Sequence, residues 1–284
     1  MMRSLAVIFG LALILGMISS ESRAATVQGE SQKIGAGDVR VYAELGGDGK
    51  PGAIGVVFSD GAFEGLPASR NKTSRCFDLN GNGRIDDQGE CEGDYEFRIV
   101  LPAELTARTD IPFGWVGLNW NPEGHPPEAW VPPHFDIHFY MVDRDKIDGI
   151  RVGGCDIFID CDDFKRAVQP VPPQYVAPDH VNVNAAVSKM GNHLIDVRSP
   201  EFAKPPAPFT HTWIYGAYDG RIIFYEPMIT MDFLLGKPDL CVPIRQPKVW
   251  AQAGYYPAEY CMRYDAGSKA TSVSLEGFVL REGD

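Results

Sequence analysis

The clearest pattern in the chain is an alternation in residues 131–140. Phe135, Ile137 and Phe139 interleave with His134, Asp136 and His138. Period-two spacing of aromatic and β-branched side chains predicts a strand. One face would pack on a core. The other presents His, Asp and His, and would line a polar cavity, a metal site, an interface or water. Residues 39–44 and 53–58 alternate in the same way around a Gly/Pro-rich turn, and predict a hairpin between Thr26 and Pro67. Residues 95–101, 209–216, 221–228, 255–264 and 272–280 read as further strands, with Asp219-Gly220 as a two-residue hairpin turn. One helical turn is expected near 230–235, and the Pro-rich stretch 169–178 is expected to be an extended connector. There is no internal repeat and no long amphipathic helix. The expected fold is mainly β, an antiparallel barrel or sandwich with few short helices.

The N-terminus changes the picture of where this fold works. Arg3 precedes an uncharged apolar run from Leu5 to Ile18, and Ser22-Arg-Ala24 offers small residues for cleavage. This is the pattern of a secretory signal peptide over residues 1–24. A single β-rich domain is expected over 25–284. The full chain carries a net charge of −12; losing Arg3, Glu21 and Arg23 would leave −13. Such an acidic chain is expected to avoid nucleic acid and, once the leader is cut, membrane surfaces. A secreted or periplasmic protein is expected.

Six cysteines remain in the exported part, an even number that implies disulfides. They fall into three local couples, Cys76/Cys91, Cys155/Cys161 and Cys241/Cys261, and nearest-neighbour pairing is expected because each couple seems to bracket one loop. None has CxxC spacing, which argues against a redox motif or a zinc knuckle.

Residues 76–91 have the form of a calcium-loop-like insertion. Asp78, Asn80 and Asn82 occupy positions 1, 3 and 5, Gly83 the sharp turn, and Arg84 the position that offers a backbone carbonyl. Gly89 stands where a closing Glu is usual, so Asp86, Asp87 or Glu90 would have to close a Ca2+ site. The alternative is an Asx-rich turn tied off by a disulfide. The aspartates at 156, 160, 162 and 163 are expected to be solvated.

His134 and His138 lie roughly 13 Å apart on a straight strand, by about 3.3 Å of rise per residue, so both do not readily share one ion. Other ligands are needed. An ideal two-residue loop at 219–220 would set Trp213 opposite Glu226 and His211 opposite Met228, and would bring His211 diagonally beside Glu226. His193 is a further source. A site drawn from His134 or His138 with His193, His211 and Glu226 would suit a divalent transition metal, zinc above others, with Asp136 fixing a histidine tautomer and Glu226 or Asp136 as general base. The alternative is a buried network in which His, Asp and Glu satisfy one another. No Gly-x-Ser-x-Gly elbow and no Gly-rich nucleotide loop occurs.

The motif Pro-His-Phe-Asp-Ile-His-Phe-Tyr at 133–140, with segments 119–125, 190–193, 200–202, 215–220 and 226–230, resembles a family of exported proteins typified by a Thermus protein under envelope-stress sigma-factor control. The resemblance spans about residues 33–280. It implies an exported, β-rich homo-oligomer and no particular reaction or small-molecule ligand. Three functional readings follow: an exported protein with a His/carboxylate metal site, a metal-dependent hydrolase or lyase, and a non-enzymatic envelope-stress or ligand-binding protein.

Overall fold

The computed structural model describes residues 25–86, 89–156 and 158–284; the leader read at 1–24 and Asp87 of the calcium-type loop lie outside the described residues. The chain opens with strands β1 (Ala25–Ile34), β2 (Gly37–Leu45), β3 (Pro51–Ser59) and β4 (Tyr95–Val100). Helix α1 (Ala103–Thr106), β5 (Trp115–Asn121), β6 (His134–Tyr140), α2 (Arg144–Asp148) and α3 (Cys161–Ala167) follow. Then come β7 (His180–Val187), β8 (Gly191–Asp196), β9 (His211–Tyr218), β10 (Arg221–Thr230) and α4 (Met231–Leu235). The last strands are β11 (Asp239–Pro243), β12 (Gly254–Tyr256), β13 (Glu259–Asp265), β14 (Ala270–Glu276) and β15 (Val279–Arg281).

Two antiparallel sheets pack as a sandwich, and no closed barrel forms among the described residues. One sheet has the order β1-β2-β3-β14-β13-β11, the other β4-β5-β6-β10-β9-β8-β7; β12 and β15 make a small separate pair. The predicted β2–β3 hairpin is present, with Val41 opposite Val56. Its inward residues meet those of β6: the rings of Phe58 and Phe135 lie 5.3 Å apart. Phe58, Phe135, Ile137 and Phe139 are fully buried between the sheets. Each contributes roughly 1.5–3 kcal/mol by leaving water, which is why the odd-numbered positions of β6 face this core.

The other face of β6 is not wet either. All seven of its residues are buried. Helices α2 and α3 lay Ile147 and Ala167 against Trp115, Tyr140 and Phe224 on the outside of the seven-stranded sheet. Loop residues Trp130 and Phe209 pack there on Ile214 and Met228. A second layer therefore encloses the face that carries His134, Asp136 and His138.

The three disulfides are Cys76–Cys91, Cys155–Cys161 and Cys241–Cys261. The third does not close a single loop as expected. It joins directly opposed residues of neighbouring strands β11 and β13. Asp163 also departs from expectation. It is 3% exposed rather than solvated, because the Arg151 amide and guanidinium and the Tyr218 hydroxyl all donate to its carboxylate. Asp160 caps α3 by accepting from the amides of Asp162 and Asp163.

Candidate metal centre

Three neighbouring strands bring His138, His193 and Glu226 together. On β10, Tyr225 pairs with Phe139 and Met228 with Asp136, which sets Glu226 level with His138 across the strand boundary. His193 on β8 pairs with Gly216, and Gly216 with Phe224. Gly216 has a steric task. A Cβ there would lie 2.0 Å from the Phe224 ring, so only glycine lets that ring cross β9. The ring then sits against both imidazoles, 4.8 Å from His138 and 5.4 Å from His193.

The outer nitrogens are held by the backbone. His138 Nδ1 donates to the Gly117 carbonyl at 3.2 Å, and His193 Nδ1 donates to the Ala185 carbonyl at 2.8 Å. A carbonyl can only accept, so the Nδ1 proton is fixed, and in the neutral ring Nε2 carries a lone pair. Burial pushes His138 down to about 3 and His193 down to about 4, so both rings are neutral at pH 7. Both lone pairs aim at one carboxylate: His138 Nε2 lies 3.4 Å from Glu226 Oε1 and His193 Nε2 3.8 Å from Oε2. Burial, and then the charge of Asp136, hold the Glu226 carboxyl well above the usual range.

These separations discriminate between two arrangements. Direct N–H···O bonds run about 2.7–3.2 Å. Two ligands each about 2.0–2.2 Å from a tetrahedral ion stand roughly 3.3–3.6 Å apart. The His138–Glu226 contact has the second spacing, and His138 Nε2 and Glu226 Oε2 are buried without a hydrogen-bond partner. Leaving such atoms bare costs about 1–3 kcal/mol each.

A second trio lies beside the first on the same face of β6. His125, from the Pro-rich loop before β6, approaches Asp136 with Nε2 3.4 Å from Oδ2. His134 Nε2 lies 3.2 Å from Asp136 Oδ1. Burial opposes charge on His125, but the hydrogen bond and charge of Asp136 outweigh it and raise the imidazole to about 9.

Both trios open on one cavity of about 260 Å³, whose walls include His125, Asp136, His193 and Glu226. Its roof is formed by the segments flanking the disulfide-closed insertion, Arg70 and Arg75 before it and Glu92 and Asp94 after it, with Cys91 of the insertion itself. Arg70 fastens that roof by donating to the carbonyls of Cys91 and Glu92 at 2.6 and 3.0 Å. Arg75 pairs with Asp94, which also accepts from Asn119 of β5. Glu92, Asp94, Asp136 and Glu226 line the cavity beside Arg70, Arg75 and His125.

At the calcium-type loop, Asp78 accepts amide hydrogen bonds from Gly81, Asn82 and Gly83. Asn80 accepts from Asn82, and Asn82 from Arg84. Glu90 accepts from the amides of Leu79, Asn80 and Asp86. These bonds form an Asx ladder within the loop that the Cys76–Cys91 disulfide closes.

His211 does not join Glu226. The register of β9 and β10 shifts between Ile222 and Phe224, which places Glu226 opposite Ile214 and His211 opposite Ile229. A one-residue slip moves a side chain to the other face. His211 therefore lies on the inter-sheet side, 2.8 Å from the Tyr260 hydroxyl. His134 and His138 divide between the two trios, as their spacing along the strand requires. His125 was missed as a ligand; its only signal was a histidine in a Pro/Trp-rich loop just upstream of the alternating strand. Cys241, Glu259, Cys261 and Glu276 also cluster, but the sulfurs are consumed in a disulfide and offer no thiolate.

No family model, no curated protein and no solved structure matches this chain.

Proposed function

We propose that this is an exported protein that binds a divalent transition metal, zinc by preference, through His138, His193 and Glu226. One observation carries the reading. Two neutral imidazoles are anchored at Nδ1 by backbone carbonyls and direct Nε2 at one buried carboxyl group, the His138 contact at a separation that suits a shared ion. The ligand atoms all lie within 4.8 Å of one another. Two imidazoles and a carboxylate are an ordinary zinc set, and three protein ligands leave an open side. The three disulfides agree with an oxidising, extracytoplasmic compartment, and among the described residues no helix is long and apolar enough to cross a membrane.

The open side supports a second step in the reading, hydrolysis or elimination on a small molecule. His193 and Glu226 face the cavity rather than solid packing. At about 260 Å³ the cavity falls below the usual range of about 300–1,000 Å³ for drug-sized ligands, which favours a small substrate. A divalent ion there would supply Lewis acidity.

Elemental mass spectrometry of the mature protein, purified without chelator, tests the binding claim. At least one zinc, iron, copper or manganese per chain is expected, and His193→Ala should remove one ion. No bound transition metal, even after incubation with zinc, would refute it and favour a non-enzymatic binding protein. The Ca2+ expectation rests on the spacing of Asp78, Asn80 and Asn82, and the same spectrum reads it.

A further inference from the structure

We propose that the cavity holds a second divalent cation, bound by His125, His134 and Asp136 independently of the first. This trio repeats the backbone anchoring of the first with different residues. His134 Nδ1 donates to the Pro132 carbonyl at 2.7 Å, and His125 Nδ1 donates to the Pro126 carbonyl at 2.8 Å. Both rings thus turn Nε2 toward the two oxygens of Asp136. The carboxylate is itself held: Asn121 Nδ2 donates to Oδ2 at 2.8 Å. That is the outer support expected of a metal-binding carboxylate.

The polar atoms left over point to a ligand. His134 is fully buried and Asp136 is 5% exposed. His134 Nε2 and Asp136 Oδ1 face each other with no hydrogen-bond partner. The three groups place their ligand atoms within 4.8 Å of one another, which one zinc-sized ion would span.

Two ions would be neighbours without sharing a ligand. Asp136 and His138 are two residues apart on β6, roughly 6.6 Å by strand rise. Pairs of ions that act on one group stand about 3.5–4 Å apart. Each ion should therefore be removable without the other. His125 comes from the loop before β6 and is 22% exposed at its side chain, so replacing it spares the sheet.

The test is calorimetric titration of chelator-stripped full-length mature protein with zinc alone. Two zinc ions per chain are expected for the native protein, one for His125→Ala and one for His193→Ala. His125→Gln, which keeps bulk at that position, should behave as His125→Ala does. Loss of one ion on changing His125, with none lost on changing His193, would support this second site while removing the first. One ion in the native protein, unaffected by either change at His125, would overturn the second site and leave the first standing. A single ion lost with either residue would mean one shared site, and would also overturn the proposal. No binding at all would sink both sites. Where a variant binds poorly, its circular dichroism must match the native spectrum before the loss is counted; His125→Gln provides the check if His125→Ala does not fold.

Discussion

His138 on β6 and Glu226 on β10 stand level on neighbouring strands with Nε2 3.4 Å from Oε1, and both side chains are at most 1% exposed. The contact is longer than a good hydrogen bond. The proposed ion between them, completed by His193, would account for that spacing.

Glu226→Gln tests that role without changing shape. The amide keeps the volume but loses the anionic ligand. Zinc affinity should fall by on the order of 100-fold or more, beyond the roughly 10–100-fold typical of outer-sphere changes. The stripped variant should melt within a few degrees of stripped wild type. A large loss of melting temperature with unchanged zinc affinity would make Glu226 structural.

Gly216→Ala probes the wedge. The added methyl would press on the Phe224 ring, which touches both His138 and His193. Overpacking of this kind costs about 1–3 kcal/mol. Thermal denaturation should show that loss, together with weaker zinc binding. Wild-type values for both would show that Phe224 does not position the ligands.

The Cys76–Cys91 bridge spans 15 residues of sequence and ties together the two flanking segments that line the cavity. Chain entropy assigns such a loop about 3 kcal/mol. The Cys76→Ala/Cys91→Ala double variant should loosen the roof and pass zinc to an external chelator at least about tenfold faster. Unchanged transfer would show that the insertion does not limit access.

Asp163 sets a pH dependence away from the site. Burial pushes its carboxyl up, but hydrogen bonds from the Arg151 amide and guanidinium and from Tyr218 outweigh that and hold it below the ordinary range. The unfolded carboxyl titrates near about 3.9. The stabilisation is therefore complete above that value and is lost as pH falls through the lower folded value. Asp163→Asn should lower the melting temperature at pH 7, and the gap to wild type should shrink below about pH 4. A gap that stays constant down to pH 2 would contradict this.

Local pattern made much of the fold legible. The alternation of 134–140 identified β6 and its two faces, and Asp219-Gly220 identified the β9–β10 turn. The pattern failed at β5, which like β6 is buried on both faces but does not alternate. It failed again at the register shift after Ile222, which no propensity marks and which sent His211 to the wrong partner. The pairing of His193 with Gly216 and the lining of the cavity by the segments flanking 76–91 join distant parts of the chain, and only the tertiary fold brings those together.

The most direct measurement is an anomalous-difference map at the zinc edge from crystals of the metal-loaded protein. A peak is predicted at about 2.0–2.2 Å from His138 Nε2, His193 Nε2 and a Glu226 oxygen. The absence of density there, with His138 Nε2 and Glu226 drawn into a direct hydrogen bond of about 2.8 Å, would contradict the metal centre.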